Sequence, residues 1–268
     1  MDNASNDDTA AIARAAQVRY LHEPRGGQAS ARNAGLAAAT GDLIIFTDDD
    51  VIPAPDWLEK LCAPILSGAA EAVVGRVRLA PHLERPWMTD FHRAWLAATD
   101  ALDPQAPSRM VGANMAFSRA VLARVPAFDP ELGPGATGFG DDTLFSLQVR
   151  RAGFRLAAAF DAEVVHHFEE GRLAAPQWLD SARKMGRTDA YLAYHWEHAD
   201  WAHPWRHLVT AALRQWTCRA VSGRASAVPE RLLATTRHLH ACRQYLRERR
   251  RPRSYGPHGL VKRTPANR

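Results

Sequence analysis

Three observations predict an α/β fold: a mostly parallel sheet flanked by helices, with a helical extension at the C-terminal end. First, apolar runs at 43–47, 73–77, 110–118 and 164–165 alternate with stretches of helical character, the order expected of strand–crossover–strand units. Second, 46% of the 268 residues are apolar, enough for one large domain or a domain with an appendage, and too many for global disorder. Third, strand signals cease at Pro176 and long helical stretches rich in Trp and Arg take over.

In chain order, residues 9–17 read as a helix and 18–21 as a short strand. Gly26 and Gly27 turn the chain into a helix over 30–39, stopped by Gly41. Residues 43–47 form an apolar strand. Pro55 opens a helix that runs to Leu66, proline being well suited to a first helical turn. Residues 73–77 make the next strand, followed by an amphipathic stretch over 87–98. Residues 110–118 read as a strand leading into a short helix that ends near Pro126. Glycines at 133, 135, 138 and 140 give a loop suited to closing over a substrate. Asp141 and Asp142 are expected to cap a helix over 141–152, with Gly153 beyond its end. The last strand ends at 164–167. Helices follow near 176–195, 204–221 and 228–250. The domain limits expected are therefore 1–175 for the α/β domain, 176–250 for the extension, and 251–268 for a disordered basic tail.

The strand at 43–47 ends in Asp48-Asp49-Asp50. Carboxylates delivered by a buried strand suit a hard divalent cation, Mg²⁺ or Mn²⁺, held against phosphates. They equally suit an acidic turn capping the helix that follows. Net charge is +5, and lysine occurs only at 60, 184 and 262, so the positive charge is nearly all arginine. Arginine pairs bidentately with phosphate, which fits a nucleotide diphosphate, a nucleic acid or an anionic membrane. No nucleic-acid motif is present, and no nucleic-acid partner is expected. Cys62, Cys218 and Cys242 lack metal-ligand spacing and read as reduced thiols of a cytosolic protein. No apolar run reaches the length of a membrane span. A cytoplasmic protein is expected, with peripheral association at the inner face of the membrane as a variant of it.

The acidic triplet does not stand alone. Asp2-Asn3-Ala4-Ser5, the block Gly26 to Gly35 containing Ala31-Arg32-Asn33, and Gly138-Phe139-Gly140-Asp141-Asp142 occur around it in order. This succession resembles family 2 glycosyltransferases of the GT-A fold, over roughly two thirds of the chain. The resemblance implies that Asp48 lies towards the ribose and phosphates and that Asp50 ligates the cation, with Asp49 at a variable donor-side position. It implies that Asp142 is the catalytic base, with Asp141 where glutamate is commoner. One of His166 and His167 completes the metal shell or meets the diphosphate. Alternate strand residues face opposite ways, so only one enters the site, and His167 is favoured. Arg32, at a helix start, is expected on the nucleotide's diphosphate or base. Asp2 and Asn3 are expected to read the base, and Gly112 and Asn114 to lie on the acceptor side. Each has an ordinary counterpart: a helix cap, a turn residue, an interior histidine or a surface arginine.

The activity so implied is a metal-dependent, inverting transfer of a sugar from a nucleotide-diphosphate donor to a hydroxyl. Acceptors of this type are a polysaccharide, a lipid-linked sugar or a metabolite, in cell-envelope or exopolysaccharide synthesis. The resemblance also implies a strand–helix–strand unit of about thirty residues before Asp2, which this sequence lacks. A start assigned too late explains that better than a truncated gene; the alternative function is an inactive, sugar-nucleotide-binding remnant. The Trp- and Arg-rich helices read as ordinary packing, or as a surface for docking on a membrane.

Overall fold

A computed structural model describes residues 1–222 and 228–263. Helix α1 (Thr9–Ala15) is followed by α2 (Gln28–Ala38), strand β1 (Leu43–Thr47), strand β2 (Val51–Pro53) and α3 (Trp57–Leu66). Then come β3 (Ala72–Leu79), α4 (Asp90–Trp95), β4 (Asn114–Ser118), α5 (Asp141–Arg151) and β5 (Leu156–His166). The C-terminal helices are α6 (Ala175–Tyr191), α7 (Pro204–Ser222) and α8 (Glu230–Glu248). The expected strand at 18–21 is not formed; only a single bridge joins Asp2 to His22 there.

The five strands lie in the order β1-β4-β3-β5-β2. The α/β class is as expected, but the sheet is mixed rather than mostly parallel. Only β3 and β5 run parallel; β1 with β4, β3 with β4, and β2 with β5 are antiparallel. The cause is that β4 enters between β1 and β3 against both of them. Alternation of strands and helices in the sequence does not reveal that insertion.

β1 and β2 occupy opposite ends of this order, yet only Asp48, Asp49 and Asp50 join them. Four flat strand spacings amount to about 19 Å, whereas four residue steps reach at most about 14 Å. The sheet must therefore curl, drawing the acidic triplet over the ends of the strands between. An irregularity in the β3–β5 ladder marks one place where it departs from flatness: Gly75 pairs with Ala159 but Arg76 pairs with Glu163. Asn114 secures this bulge, its Nδ2 donating to the carbonyls of Arg76 (2.9 Å) and Ala162 (2.8 Å). A Cβ on Gly75 would lie 2.2 Å from that amide nitrogen, so glycine makes the room that the bulge needs.

The main core lies between the sheet and its helices, with Val74, Val77, Met115, Phe117, Phe145 and Val164 all buried. Phe128 stacks on Phe145 at 4.3 Å between centroids. A second cluster, including Leu83, Trp95, Trp178 and Leu233, welds α6 and α8 to the domain. The tail expected to be disordered is docked over residues 251–263. Tyr255 and Lys262 both reach the buried Asp129, Tyr255 Oη at 2.7 Å and Lys262 Nζ at 2.5 Å. The Gly259 carbonyl accepts from Gln148 on α5 and from Trp196. A run of arginines hides this behaviour, because the anchoring groups are single residues beyond it. Residues 264–268 lie outside the described residues.

Candidate active site

At the ends of the strands opens a cavity of about 580 Å³ whose lining includes Arg32, Asp48, Asp49, Asp50, Gly112, Asp141, Asp142 and His166. Residues 48, 112, 142 and 166 lie far apart in sequence and meet because β1 and β5 end here and β4 and α5 begin here.

The β2–β5 register, with Val51 opposite His166, brings Asp50 to the end of β5. His166 Nε2 lies 3.1 Å from Asp50 Oδ2, and His166 Nδ1 lies 2.9 Å from the Leu96 carbonyl. A carbonyl only accepts, so Nδ1 carries a proton. In the neutral ring Nε2 is then a bare lone pair facing a carboxylate, an arrangement that needs a proton or a cation between the two. Asp50 Oδ1 is buried and has no hydrogen-bond partner among the described residues, a costly state for an acceptor unless something binds it. With a proton on His166 Nε2, the hydrogen bond from that nitrogen holds the Asp50 carboxyl below its ordinary range, and Arg172, 3.7 Å away, assists. These groups fit a divalent cation. Among the described residues no cluster of three or more His, Cys, Asp or Glu side chains forms a cage on its own.

The expectation for the histidines is corrected. His166 is buried and faces the cavity, while His167 is exposed and its ring lies 5.7 Å from that of His82. β5 ends on His166, and alternation turns the next side chain away.

Arg32 is buried on α2 between two carboxylates: its Nη1 is 2.5 Å from Asp141 Oδ2 and its Nη2 is 3.6 Å from Asp48 Oδ1. Phe46 and Phe128 lie against the guanidinium. Its charge is thus committed inside the protein rather than free for a diphosphate. Burial pushes the Asp141 carboxyl up to about 6, against the pull of Arg32. Burial also raises Asp48, again opposed by Arg32. Gly112 fits here by close approach, since a Cβ on it would lie 2.0 Å from Arg32 Nη2.

Asp141 and Asp142 occupy the first turn of α5 and do not cap it; the cap position is Gly140, in the left-handed region at φ 90°. The two side chains diverge. Asp141 turns inward to Arg32. Asp142 is half-buried in the cavity wall, and its Oδ2 accepts the Gly112 N–H at 3.0 Å. Asp49 is exposed at the cavity edge.

Three expected site residues are elsewhere. Asp2 is buried outside the cavity, accepting from Tyr20 Oη at 2.5 Å and from the Ser5 N–H at 2.9 Å. Asn3 braces the 23–27 segment, donating to the Glu23 and Arg25 carbonyls and accepting from the Gly27 N–H. Asn114 is committed to the β-bulge and to Trp57 Nε1, which donates to its Oδ1 at 2.8 Å. Conversely, several cavity residues carry no motif signal. Arg109 is half-buried in the wall with no hydrogen-bond or ion-pair partner among the described residues. Its place just before the Met110 block is the one hint the sequence offers. Helices α6 and α8 supply an opposite wall, where Arg237 grips Asp189 through two bonds of 2.6 and 2.7 Å. The glycine-rich loop is tied to that wall as well, through the Thr188 hydroxyl and the Phe139 carbonyl (3.0 Å).

Comparison with known proteins gives a consistent result. Residues 1–125 match the family described as glycosyl transferase family 2. The succinoglycan biosynthesis protein ExoM of Rhizobium meliloti (strain 1021) is 32% identical over 180 residues, covering 65% of this chain and 56% of that protein. A pre-mycofactocin glycosyltransferase of Mycobacterium tuberculosis (strain ATCC 25618 / H37Rv) is 43% identical over 65 residues, covering 22% of this chain and 14% of its own. The chain thus matches little more than half the length of the first and a small part of the second. A mannosyltransferase from Pyrobaculum calidifontis, solved with GDP-Man and Mn²⁺, superposes with a TM-score of 0.59 at 22% identity, over 91% of this chain and 75% of that one. That likeness shows a shared fold. Over residues 1–125 the chain is similar to glycosyl transferase family 2.

Proposed function

We propose that this protein is a metal-dependent, inverting glycosyltransferase that moves a sugar from a nucleotide diphosphate to a hydroxyl acceptor. The observation that carries the reading is the convergence of Asp48, Asp50 with His166, and Asp142 on one cavity. Asp50 and His166 would hold a Mg²⁺ or Mn²⁺ ion, with Asp48 beside them on the donor side. When bound, such an ion neutralises charge on a departing diphosphate. Arg109, a cation in the same wall without a partner among the described residues, meets the same need. Asp142 takes the acceptor proton: the acceptor oxygen forms its bond to the anomeric carbon as the bond to the diphosphate breaks, and the proton passes to the Asp142 carboxylate. A single displacement of this kind inverts the anomeric centre. The Gly112 N–H holds one Asp142 oxygen, and the Arg32–Asp141 pair fixes the start of α5, so the base is positioned before substrate arrives.

The role in succinoglycan biosynthesis borne by one relative supports an acceptor that is a growing polysaccharide or its lipid-linked precursor. The neighbour bound to GDP-Man and Mn²⁺ supports a nucleotide-sugar donor and a cation. Donor hydrolysis with UDP-, GDP- and dTDP-sugars in Mn²⁺ tests the reading. Turnover should fall about a thousandfold in Asp142→Asn with donor binding retained, and Asp50→Ala should lose its response to Mn²⁺. Donor binding without turnover in the unaltered chain would instead identify a non-catalytic sugar-nucleotide-binding protein.

A further inference from the structure

Helix α7 carries a second surface, separate from the cavity. Its buried residues, Pro204, Ala211, Gln215 and Cys218, face the rest of the protein, and the helix packs on α8. On the opposite side Trp205, Val209, Leu213 and Trp216 are 64%, 58%, 61% and 72% exposed. Steps of four, four and three residues put all four on one stripe of a helix. Exposed apolar side chains are ordinary when scattered. Here they are aligned over three turns, and the tryptophans stand at the two ends.

From this stripe we propose that α7 docks the protein on an anionic lipid bilayer, lying flat in the interface with the stripe in the headgroup–acyl boundary. Charge decides the occupant. Residues 204–222 include Arg206, Arg214 and Arg219 and no aspartate or glutamate, the composition that binds an anionic surface. A second copy of this chain is a poorer partner, since pairing the stripes would set arginine against arginine. Four side chains also fall well short of the roughly 20–30 residues a side of a stable dimer interface. Tryptophan is the side chain best suited to the membrane boundary, with an apolar ring and one polar N–H. No helix among the described residues is long and apolar enough to cross a bilayer, so contact through α7 would be lateral. No residue of α7 is among those that line the cavity. The inference does not depend on the catalytic reading.

Co-sedimentation of the full chain with vesicles tests it, using pure phosphatidylcholine and an equal mixture of phosphatidylcholine and phosphatidylglycerol. The chain should sediment with the mixed vesicles and not with the neutral ones. Trp205→Ser with Trp216→Ser should weaken that binding by more than about tenfold while thermal unfolding stays that of the parent chain. Arg206→Gln with Arg214→Gln, which leaves the stripe intact, should weaken it by about fivefold for each arginine removed. Undiminished sedimentation of the tryptophan variant would overturn the proposal, as would equal binding to both vesicle types or to neither. A dimer in solution that the tryptophan substitutions dissolve into monomers would also overturn it, assigning the stripe to a second copy.

Discussion

Asp141 and Asp142 are adjacent in sequence and opposite in circumstance. The first is buried against Arg32; the second opens on the cavity and holds the Gly112 N–H. Placed in the first turn of one helix, they point about 100° apart, so one becomes a strut and the other a carboxylate facing the cavity. The strut has a measurable signature. Asp141 ionises near 3.8 in an unfolded chain and near 6 in the folded one. Between those values the folded chain keeps a proton that the unfolded chain has lost. Its contribution to stability therefore falls as pH rises through this window, and is level above and below it. Urea midpoints of the parent chain and Asp141→Asn, measured from pH 4 to 7, should give a stability difference that moves against the parent across the window. A difference independent of pH would place the proton elsewhere. The motif letters set both aspartates apart, and both line the cavity, but the letters do not say which one turns inward, because that depends on Arg32 arriving from 109 positions away. The His166/His167 choice failed for a related reason: alternation says that only one faces the site, and only the β2–β5 register says which.

At the level of elements, the motif-bearing strand β1 was legible to the residue, since an apolar run bounded by Gly41 and the acidic triplet leaves little freedom. The strand expected at 18–21 was not: four residues with β character do not make a strand without a neighbour to pair with, and here only Asp2 and His22 bridge. Asn114 was misplaced on the acceptor side because Gly75, the one hint of a bulge in the sequence, does not say which side chain secures it, and the bulge consumes that of Asn114. The docked tail was missed because its anchors, Tyr255, Gly259 and Lys262, are dispersed. Lys262 Nζ meets Asp129, Glu131 (2.6 Å) and the Tyr191 hydroxyl (3.0 Å), and the Asp129 side chain is fully buried. Lys262→Met leaves that carboxylate with two tyrosine hydroxyls and the Glu131 N–H but no cation, a change of about 3 kcal/mol in stability. Urea denaturation should show that loss, with the denaturant slope unchanged. An unaltered midpoint would mean that the tail contributes nothing to the fold.

For the whole molecule, the α/β class and the helical extension were both legible from the alternation of apolar runs and its end at Pro176. The insertion of β4 between β1 and β3 was not, because strand order is a long-range property. That order accounts for the site: joining opposite ends of the strand order with three residues forces the sheet to curl and places Asp48, Asp49 and Asp50 across the strand ends. The central claim is that Asp50 and His166 would hold a divalent cation there, within the cavity that Asp142 faces. The most direct measurement is an anomalous difference map at a wavelength sensitive to manganese, from crystals grown with Mn²⁺ and either UDP or GDP. The account predicts a peak in that cavity about 2.2 Å from the Asp50 carboxylate, in contact with His166 Nε2. A peak among Asp129 and Glu131 instead, or none in the cavity at saturating Mn²⁺, would contradict it.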